Sequence, residues 1–307
     1  MYPEVMAESL EATYGKLLDQ VSVLRERPII VELSGGLTNR NLLIENSTGK
    51  YVARISSNSS SLLSIDRSAE YENSKLAATA GIAAPVVDYL PGQGLLVIGY
   101  LEGRTFSAQD VANNLGRVAQ SCRVLHGSQR FVKDFDMFEI QKSYLKIVQS
   151  RSFRLPDGYA QYAEKLAKMR QALAVLDEGT VPCNNDLLPG NFIDNGEKIW
   201  LIDFEYSGNN DPCFELGNIW AESFLELECL SELVDAYYGA HRPEKIARAW
   251  LYALTAKYGW TLWASIQSSV STLDFDFWSW GMEKYELARS EFSSRYFQES
   301  LIRVTIK

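Results

Sequence analysis

The N-terminal part of the chain alternates between one helical pattern and several short β-type runs. Leu10, Tyr14, Leu17, Leu18 and Val21 recur at helical spacing, which predicts a helix over residues 4–26. Runs rich in β-forming residues are separated by Gly, Asn, Ser and Pro turns, and one amphipathic helical stretch lies among them. Strands are predicted at 29–33, 41–45, 51–55, 86–90 and 95–100, and the second helix at 66–80. The first hundred residues therefore predict a twisted antiparallel sheet with one inserted helix.

After residue 103 the apolar spacing becomes that of long helices. Helices are predicted most clearly at 108–125, 159–177, 242–268 and 275–296, and a β-rich stretch at 181–204 interrupts them. The predicted fold class is α+β with two lobes, a small antiparallel β-sheet lobe and a larger, mainly helical lobe. The lobes are expected at 1–98 and 104–307, with a hinge at 99–103 and a cleft between them.

The composition of the 307-residue chain excludes some classes of function. Its 46% hydrophobic and 22% charged content is ordinary for a globular protein. The net charge of −9 argues against nucleic acid, which requires clustered Lys and Arg. No apolar run approaches the roughly 18 residues of a membrane span, and the N-terminus lacks a secretory pattern. Four cysteines without C-x-x-C spacing suggest free thiols, so we expect a cytoplasmic protein without membrane insertion; homo-oligomer formation is left open.

Acidic residues and tryptophans are concentrated in the C-terminal part. Residues 181–307 carry 19 Asp and Glu against 10 Lys and Arg, and all seven Trp lie there. Carboxylates and aromatic faces both attract cations, so this part would suit a cationic small molecule. An acidic surface over a Trp-rich core explains the same composition.

The β-rich interruption carries the strongest chemical signal. Asp186 is followed by Asn191 and then by Asp203, which ends an apolar strand pattern. Phosphoryl transfer requires this set: one carboxylate to orient the attacking hydroxyl, and an amide oxygen plus a carboxylate to hold Mg²⁺. Turn formation could account for part of the motif. It does not require an Asp at the end of a buried strand, so a catalytic role is favoured.

Two features of the first lobe would suit a nucleotide phosphate. Gly35 and Gly36 lie between two predicted strands. Adjacent glycines allow backbone N–H groups to approach phosphate oxygens. Arg54 lies in an apolar strand, and Glu70 follows on the second predicted helix. A basic strand residue paired with a helix carboxylate is how kinases hold a cation against the α- and β-phosphates. Alone, the glycines would indicate only a turn, and the Arg a surface residue.

From about residue 33 to its end, the chain resembles the choline and ethanolamine kinases of the aminoglycoside phosphotransferase-like, protein-kinase-like superfamily. The matching motifs are Gly35-Gly36-Leu37-Thr38-Asn39, Arg54, Arg67-x-x-Glu70-x-x-Asn73, Asn185-Asp186-Leu187-Leu188-x-x-Asn191-Phe192, Ile202-Asp203-Phe204-Glu205-Tyr206-Ser207, Phe214-Glu215-Leu216-Gly217-Asn218, Gly259-Trp260-x-Leu262-Trp263-x-x-Ile266-Gln267 and Ser271-x-x-Asp274-Phe275.

The resemblance implies a protein-kinase-like fold that uses ATP and Mg²⁺ to phosphorylate the hydroxyl of a small cationic amino alcohol, choline before ethanolamine. Asp186 would be the catalytic base, and Asn191 and Asp203 the metal ligands. The nucleotide-binding residues implied are Gly35, Gly36, Thr38, Asn39, Arg54 and Glu70, with Gly99, Tyr100 and Leu101 beside adenine.

The resemblance also implies a pocket for the cationic head group. A quaternary ammonium cannot donate N–H hydrogen bonds, so ring faces and a carboxylate are what can hold it. The implied residues are Glu222, Trp260, Trp263, Phe275, Phe277 and Trp280. The spacing of Trp260 and Trp263 also fits an ordinary core stripe of a helix.

Two positions depart from the family pattern. Asn184 stands where the family has His, which is thought to brace the catalytic loop, and Glu215 stands where Asp is usual. Asn can both donate and accept hydrogen bonds, so bracing could survive. Two alternatives stay open: a related kinase for ethanolamine, thiamine or an aminoglycoside, and a pseudokinase that binds without catalysis.

Overall fold

The computed structural model describes residues 3–56 and 62–306, with side chains from residue 9 onward. Residues 1, 2, 57–61 and 307 of the predicted lobes lie outside this range. The α-helices are α1 Pro3–Leu18, α2 Arg67–Thr79, α3 Ala108–Asn113, α4 Leu115–His126, α5 Met137–Ser150, α6 Ala163–Leu173, α7 Pro212–Glu222, α8 Leu227–Tyr238, α9 Pro243–Val270, α10 Phe277–Phe292 and α11 Arg295–Arg303. The strands are β1 Ile29–Leu33, β2 Asn39–Asn46, β3 Gly49–Ser56, β4 Val86–Leu90, β5 Leu95–Gly99, β6 Arg104–Thr105, β7 Val181–Cys183, β8 Phe192–Asp194, β9 Ile199–Leu201 and β10 Gly208–Asn210.

The first lobe is built on a five-stranded antiparallel sheet in the order β1-β2-β3-β5-β4. Alternate residues of β2 bury Leu42 and Ile44 against Leu18 of α1 and Leu24 after it, so one face of the sheet has its own apolar core. On the other side of β3, Arg54 is buried and reaches toward α2. The strand thus presents this cation to Glu70 of α2 and to Asp203 of the second lobe.

The second lobe is organised around α9. Its 28 residues are apolar or small on nearly every side, as expected of a helix surrounded by protein. Helices α5, α7 and α10 pack against it. The approach of α7 is very close, because a Cβ added to Gly217 would lie 2.1 Å from the carbonyl oxygen of Ala249. Because α7 and α10 both pack on this central helix, it determines where their side chains lie.

Several predicted helices are divided in the structure. The helix predicted over 108–125 breaks at Asn114, whose φ of −132° and ψ of 26° are not helical. The helix predicted over 275–296 ends at Phe292, and Ser294 caps a new helix by accepting a hydrogen bond from the N–H of Phe297. Hydrophobic spacing continues across such breaks, so it could not locate them.

The α+β, two-lobed fold class predicted from the sequence is confirmed by this arrangement. The lobe boundaries stay a prediction. Among the residues that the structure describes, no helix is long and apolar enough to cross a membrane.

Candidate active site

Two short loops of the second lobe bring the three predicted catalytic residues together. Asp186 follows β7, Asn191 ends a 3-10 helix before β8, and Asp203 follows β9. The antiparallel β8–β9 hairpin joins the second and third, and the N–H of Ile202 donates to the carbonyl oxygen of Asn191 at 3.0 Å. All three side chains line one cavity.

Asn184 holds the two loops together. Its side-chain nitrogen donates to the carbonyl oxygens of Ile202 and Asp203 at 3.1 and 2.9 Å, and its side-chain oxygen accepts from the N–H of Asp186 at 3.1 Å. An amide supplies both a donor and an acceptor, which is what this position uses. The departure from His therefore still leaves the two loops hydrogen-bonded to each other.

The backbone of these loops is constrained as well as hydrogen-bonded. Asn185 and Asp203 have φ values of +67° and +62°, in the left-handed region that residues with a Cβ rarely adopt. Such conformations persist only where the surroundings over-determine them, and they concentrate at functional sites.

Glu215 holds the loop that carries Asp186 by binding its backbone. It is fully buried on α7, and its two carboxylate oxygens accept from the backbone N–H groups of Asn184 and Asn185 at 2.9 and 2.7 Å. The extra methylene relative to Asp is used to span this distance from the helix.

We expect Glu215→Ala to destabilise the protein by about 2–6 kcal/mol, because it leaves two buried N–H groups unpaired at about 1–3 kcal/mol each. The measurement is denaturant unfolding of wild type and variant. Glu215→Asp keeps the charge and should lose less. Equal stability of the Ala variant and wild type would contradict the anchoring role.

Negative charge is concentrated in the cavity. Burial, and then the charges of Asp203, Glu205 and Glu222, raise the pKa of Asp186 well above its usual range. Burial and the charge of Asp203 likewise raise the pKa of Glu205 to about 7. Such a surplus of carboxylates would be relieved by a bound cation.

The donor atoms fit Mg²⁺. The side-chain nitrogen of Asn191 donates to the carbonyl oxygen of Asp186 at 2.7 Å, so its side-chain oxygen is the atom available as a ligand. Asp203 supplies a carboxylate, and Mg²⁺ prefers such oxygen ligands together with water and substrate phosphates. In the structure Oδ1 of Asp203 accepts from Arg54 at 2.5 Å, so a metal would share this carboxylate with the guanidinium.

Arg54 links the two lobes through its guanidinium group. The same guanidinium nitrogen lies 2.5 Å from Asp203 and 3.4 Å from Glu70, and Arg67 bonds the other oxygen of Glu70 at 2.6 Å. A cavity between the lobes meets this group, with apolar walls that include Leu96, Ile98 and Leu201. Apolar walls that end at a buried cation suit a nucleotide base with its phosphates.

The glycine-rich segment covers the cavity from the first lobe. Gly35 has a φ of +103°, and a Cβ on Gly36 would lie 2.3 Å from the carbonyl oxygen of Asn39, so the turn requires glycine. Thr38 and Asn39 donate to the two carboxylate oxygens of Glu205 at 2.8 and 2.9 Å. These side chains therefore tie the segment to the second lobe.

Aromatic rings form the other end of the cavity. Trp260 and Trp263 of α9 and Trp280 of α10 line it together with Tyr206 and Glu222. The ring centroids of Tyr206 and Trp260 are 5.0 Å apart, and those of Trp263 and Trp280 are 5.5 Å apart. The indole N–H of Trp263 donates to the hydroxyl of Tyr206 at 2.8 Å, which fixes both rings.

Other predicted site residues lie elsewhere. Phe277 is buried behind Trp263 at a centroid distance of 5.7 Å, and the exposed Phe275 contacts Phe277 at 4.8 Å; among the described residues, neither lines this cavity. The N–H groups of Gly99 and Tyr100 donate to backbone oxygens within the first lobe. Gly99, Tyr100 and Leu101 were predicted to lie beside adenine. Of these three, Leu101 has the backbone N–H that could donate to an adenine.

Sequence reasoning did not assign Glu205, Tyr206 or Lys284 to the site. The first two belong to the motif that contains Asp203 and could have been assigned from their neighbours. Lys284 follows Trp280 by four residues on a predicted helix, so it shares a face with a predicted pocket residue.

Comparisons with known proteins agree with the two-lobed fold and with the resemblance carried by the sequence motifs. A family model described as choline/ethanolamine kinase matches residues 30–232. Protein LicA of Haemophilus influenzae is 29% identical over 260 residues, which cover 80% of this chain and 75% of the relative. The crystal structure of a choline/ethanolamine kinase family protein from Mesorhizobium loti is similar with a TM-score of 0.84 and 28% identity, covering 98% of this chain and 100% of that one. The choline kinase LicA of Streptococcus pneumoniae has a TM-score of 0.78 at 22% identity, with 94% and 99% of the chains covered, which shows the shared fold.

Proposed function

The chain belongs to the choline/ethanolamine kinase family and is an ATP-dependent small-molecule kinase, and on this premise we propose that its acceptor is choline. One observation supports the choice most directly: Asp186 and three tryptophans line the same cavity. A molecule with a hydroxyl two carbons from a trimethylammonium could place one group at the carboxylate and the other among the rings.

The proposed reaction uses the residues in separate roles. Asp186 orients the choline hydroxyl and accepts its proton, while the hydroxyl oxygen forms a bond to the γ-phosphorus and the bond to the β–γ bridging oxygen breaks to release ADP. Arg54 contacts the α- and β-phosphates under the glycine-rich segment. Asn191 and Asp203 would hold Mg²⁺, which neutralises charge on the β- and γ-phosphates when bound.

The raised pKa of Asp186 fits this role. A carboxyl whose pKa lies above its usual range accepts a proton more readily than an exposed Asp does. It must still be ionised at the start of the reaction, and the positive charges of Lys284 and of a bound metal favour the ionised form.

The pocket chemistry argues against an aminoglycoside as acceptor. Such polycations would need several free carboxylates around their ammonium groups. Here Asp203, Glu205 and Glu222 already accept hydrogen bonds from side chains of the protein, and three tryptophans line the other end of the cavity. A pseudokinase would have no use for both metal ligands together with the catalytic carboxylate, and all three residues line the cavity.

A ³¹P NMR panel tests the proposal. Purified protein with ATP and Mg²⁺ is incubated separately with choline, ethanolamine, thiamine and kanamycin. The expected result is a phosphocholine signal that grows with time. Absence of a phosphorylated product from every compound, or faster phosphorylation of another acceptor than of choline, would reject it.

We expect Trp260→Leu to raise the KM for choline by about 2- to 30-fold, since a ring face contributes about 0.5–2 kcal/mol to binding a cation. Steady-state kinetics with choline as the varied substrate measure this. Trp278→Leu is the matched control, because Trp278 stacks on Arg154 at 3.8 Å and does not line this cavity. An equal change in both variants would mean that the effect comes from general loss of packing.

A further inference from the structure

The carboxylate at the aromatic end of the cavity already has a cationic partner within the protein. The ammonium of Lys284 donates to both oxygens of Glu222, at 2.6 and 2.7 Å. It also lies 4.1 Å from the ring centroid of Trp280. The side chains of Glu222 and Lys284 are only 4% and 3% exposed, so the pair is shielded from water.

This pairing changes what the cavity can offer to a substrate. A primary ammonium leaves water with three N–H donors, and each donor that finds no acceptor costs free energy. Both oxygens of Glu222 are engaged by Lys284, and Asp186 is needed at the hydroxyl. A trimethylammonium has no N–H donors and loses nothing by the absence of an acceptor.

From this contact we infer that Lys284 is a specificity-determining residue that makes the pocket select quaternary over primary ammonium substrates. The inference rests on the proposed function and deepens it. Lys284 neutralises Glu222, so that ring faces, and not a hydrogen-bonding carboxylate, hold the head group. Ethanolamine is then a poor substrate because Glu222, the carboxylate at the aromatic end of the cavity, is already paired.

A second buried pair provides a structural comparison. Lys257 of α9 contacts Glu291 of α10, and its ammonium lies 5.0 Å from the ring centroid of Trp220. Like Lys284, Lys257 is nearly inaccessible and joins the helices of this lobe. Neither Lys257 nor Glu291 lines the aromatic cavity among the described residues. The charge of Lys257 also interacts with those of Lys284 and Glu222. Loss of this pair therefore reports the effect of helix packing and of a removed charge, while Glu222 keeps its hydrogen bonds to Lys284.

The test compares kcat/KM for choline and ethanolamine in wild type, Lys284→Met, Lys284→Arg and Lys257→Met. Met keeps much of the length of Lys but leaves both oxygens of Glu222 free, so the choline-to-ethanolamine ratio should fall by about 10- to 100-fold, the range of a charge-assisted hydrogen bond. Arg preserves the ion pair and Lys257→Met leaves the contact between Lys284 and Glu222 in place, so both should retain the wild-type ratio. In Glu222→Gln/Lys284→Met the ratio should return toward wild type, since the charged acceptor is gone.

A binding experiment gives a readout that needs no phosphoryl transfer. Calorimetry without ATP compares tetramethylammonium with methylammonium. Wild type should bind tetramethylammonium more tightly, and Lys284→Met should gain affinity for methylammonium. Because removing one partner of a buried pair is strongly destabilising, we also expect methylammonium to raise the unfolding temperature of Lys284→Met more than that of wild type.

Three outcomes would overturn the inference: an unchanged ratio in Lys284→Met, an equal fall in Lys257→Met, or tighter binding of methylammonium than of tetramethylammonium by wild type. If wild type phosphorylates neither amine, the proposed function fails, and the calorimetry still decides the role of Lys284. If Lys284→Met does not fold, the Arg variant and the head-group binding of wild type decide it.

Discussion

Replacing Asp186 with Asn is expected to lower kcat for choline phosphorylation by about 10²- to 10⁴-fold, the usual contribution of a positioned general base. The amide has nearly the shape of the carboxylate but cannot accept the hydroxyl proton. The backbone N–H of Asp186 takes no part in the chemistry. It still donates to the side-chain oxygen of Asn184 in the variant, so the loop should hold its geometry. Rapid-quench or coupled kinetics with saturating choline and ATP measure the loss.

The same variant should be more stable than wild type at neutral pH. Burial and neighbouring carboxylates raise the pKa of Asp186 in the folded protein, while the unfolded chain has the ordinary value of about 3.9. Between these two values the folded state holds the proton more strongly than the unfolded chain. The stability contributed by this group is therefore lost as the pH rises from the unfolded pKa through the raised folded pKa.

Thermal unfolding at pH 7.5 and at pH 4 tests this sign. Asp186→Asn should melt at a higher temperature than wild type at pH 7.5, and the difference should shrink at pH 4. Asp157→Asn, at an exposed position, should change neither activity nor stability. A variant with full kcat would contradict the assignment of Asp186 as the catalytic base. A variant that melts below wild type at pH 7.5 would contradict the raised pKa of this carboxyl in the folded protein.

Replacing Asp203 with Asn is expected to lower kcat by about 10²-fold or more, because metal stabilisation of the transferring phosphate is worth several kcal/mol. It should also raise the Mg²⁺ concentration that gives half-maximal rate. Of the two predicted ligands, Asp203 is charged and Asn191 is neutral. Loss of the Asp203 carboxylate therefore weakens the electrostatic attraction for the metal more than loss of the Asn191 amide would. Kinetics at varied Mg²⁺, and Mn²⁺ binding by electron paramagnetic resonance, measure both effects.

Glu70→Gln is the matched control for Asp203→Asn. Both carboxylates contact the same nitrogen of Arg54, at 3.4 and 2.5 Å, so each variant removes one partner of that guanidinium. We expect Glu70→Gln to raise the KM for ATP and to leave the Mg²⁺ requirement nearly unchanged. If both variants shift the Mg²⁺ requirement equally, Asp203 acts mainly by positioning Arg54.

Local sequence patterns were sufficient for the two-lobed fold class and for selecting three polar residues that line one cavity. The sheet follows from β-type runs between turn residues, and α9 from a long stretch without breaks. Asp186, Asn191 and Asp203 could be identified because each follows or precedes a short strand at a characteristic spacing. Breaks such as that at Asn114 were missed, since apolar periodicity continues through a change of backbone angle.

The resemblance to the family implied an aromatic pocket, whereas the spacing of Trp260 and Trp263 by itself also fitted a core stripe. Neither could decide which rings line the cavity. Trp260, Trp263 and Trp280 do so, while Phe277 packs behind them. A helix pattern cannot distinguish a ring that faces a cavity from one that lies a layer deeper. That difference depends on the angle at which α10 packs on α9.

The sequence by itself determined the kind of chemistry, because phosphoryl transfer needs particular side chains at short spacings along two adjacent loops. Only the tertiary structure decided the charge of the pocket. Glu222 and Lys284 are 62 residues apart, and their contact depends on how α7 and α10 meet on either side of α9. Long-range pairing of this kind is a property of packed helices, which is why a carboxylate predicted to hold the substrate is found already paired with a lysine.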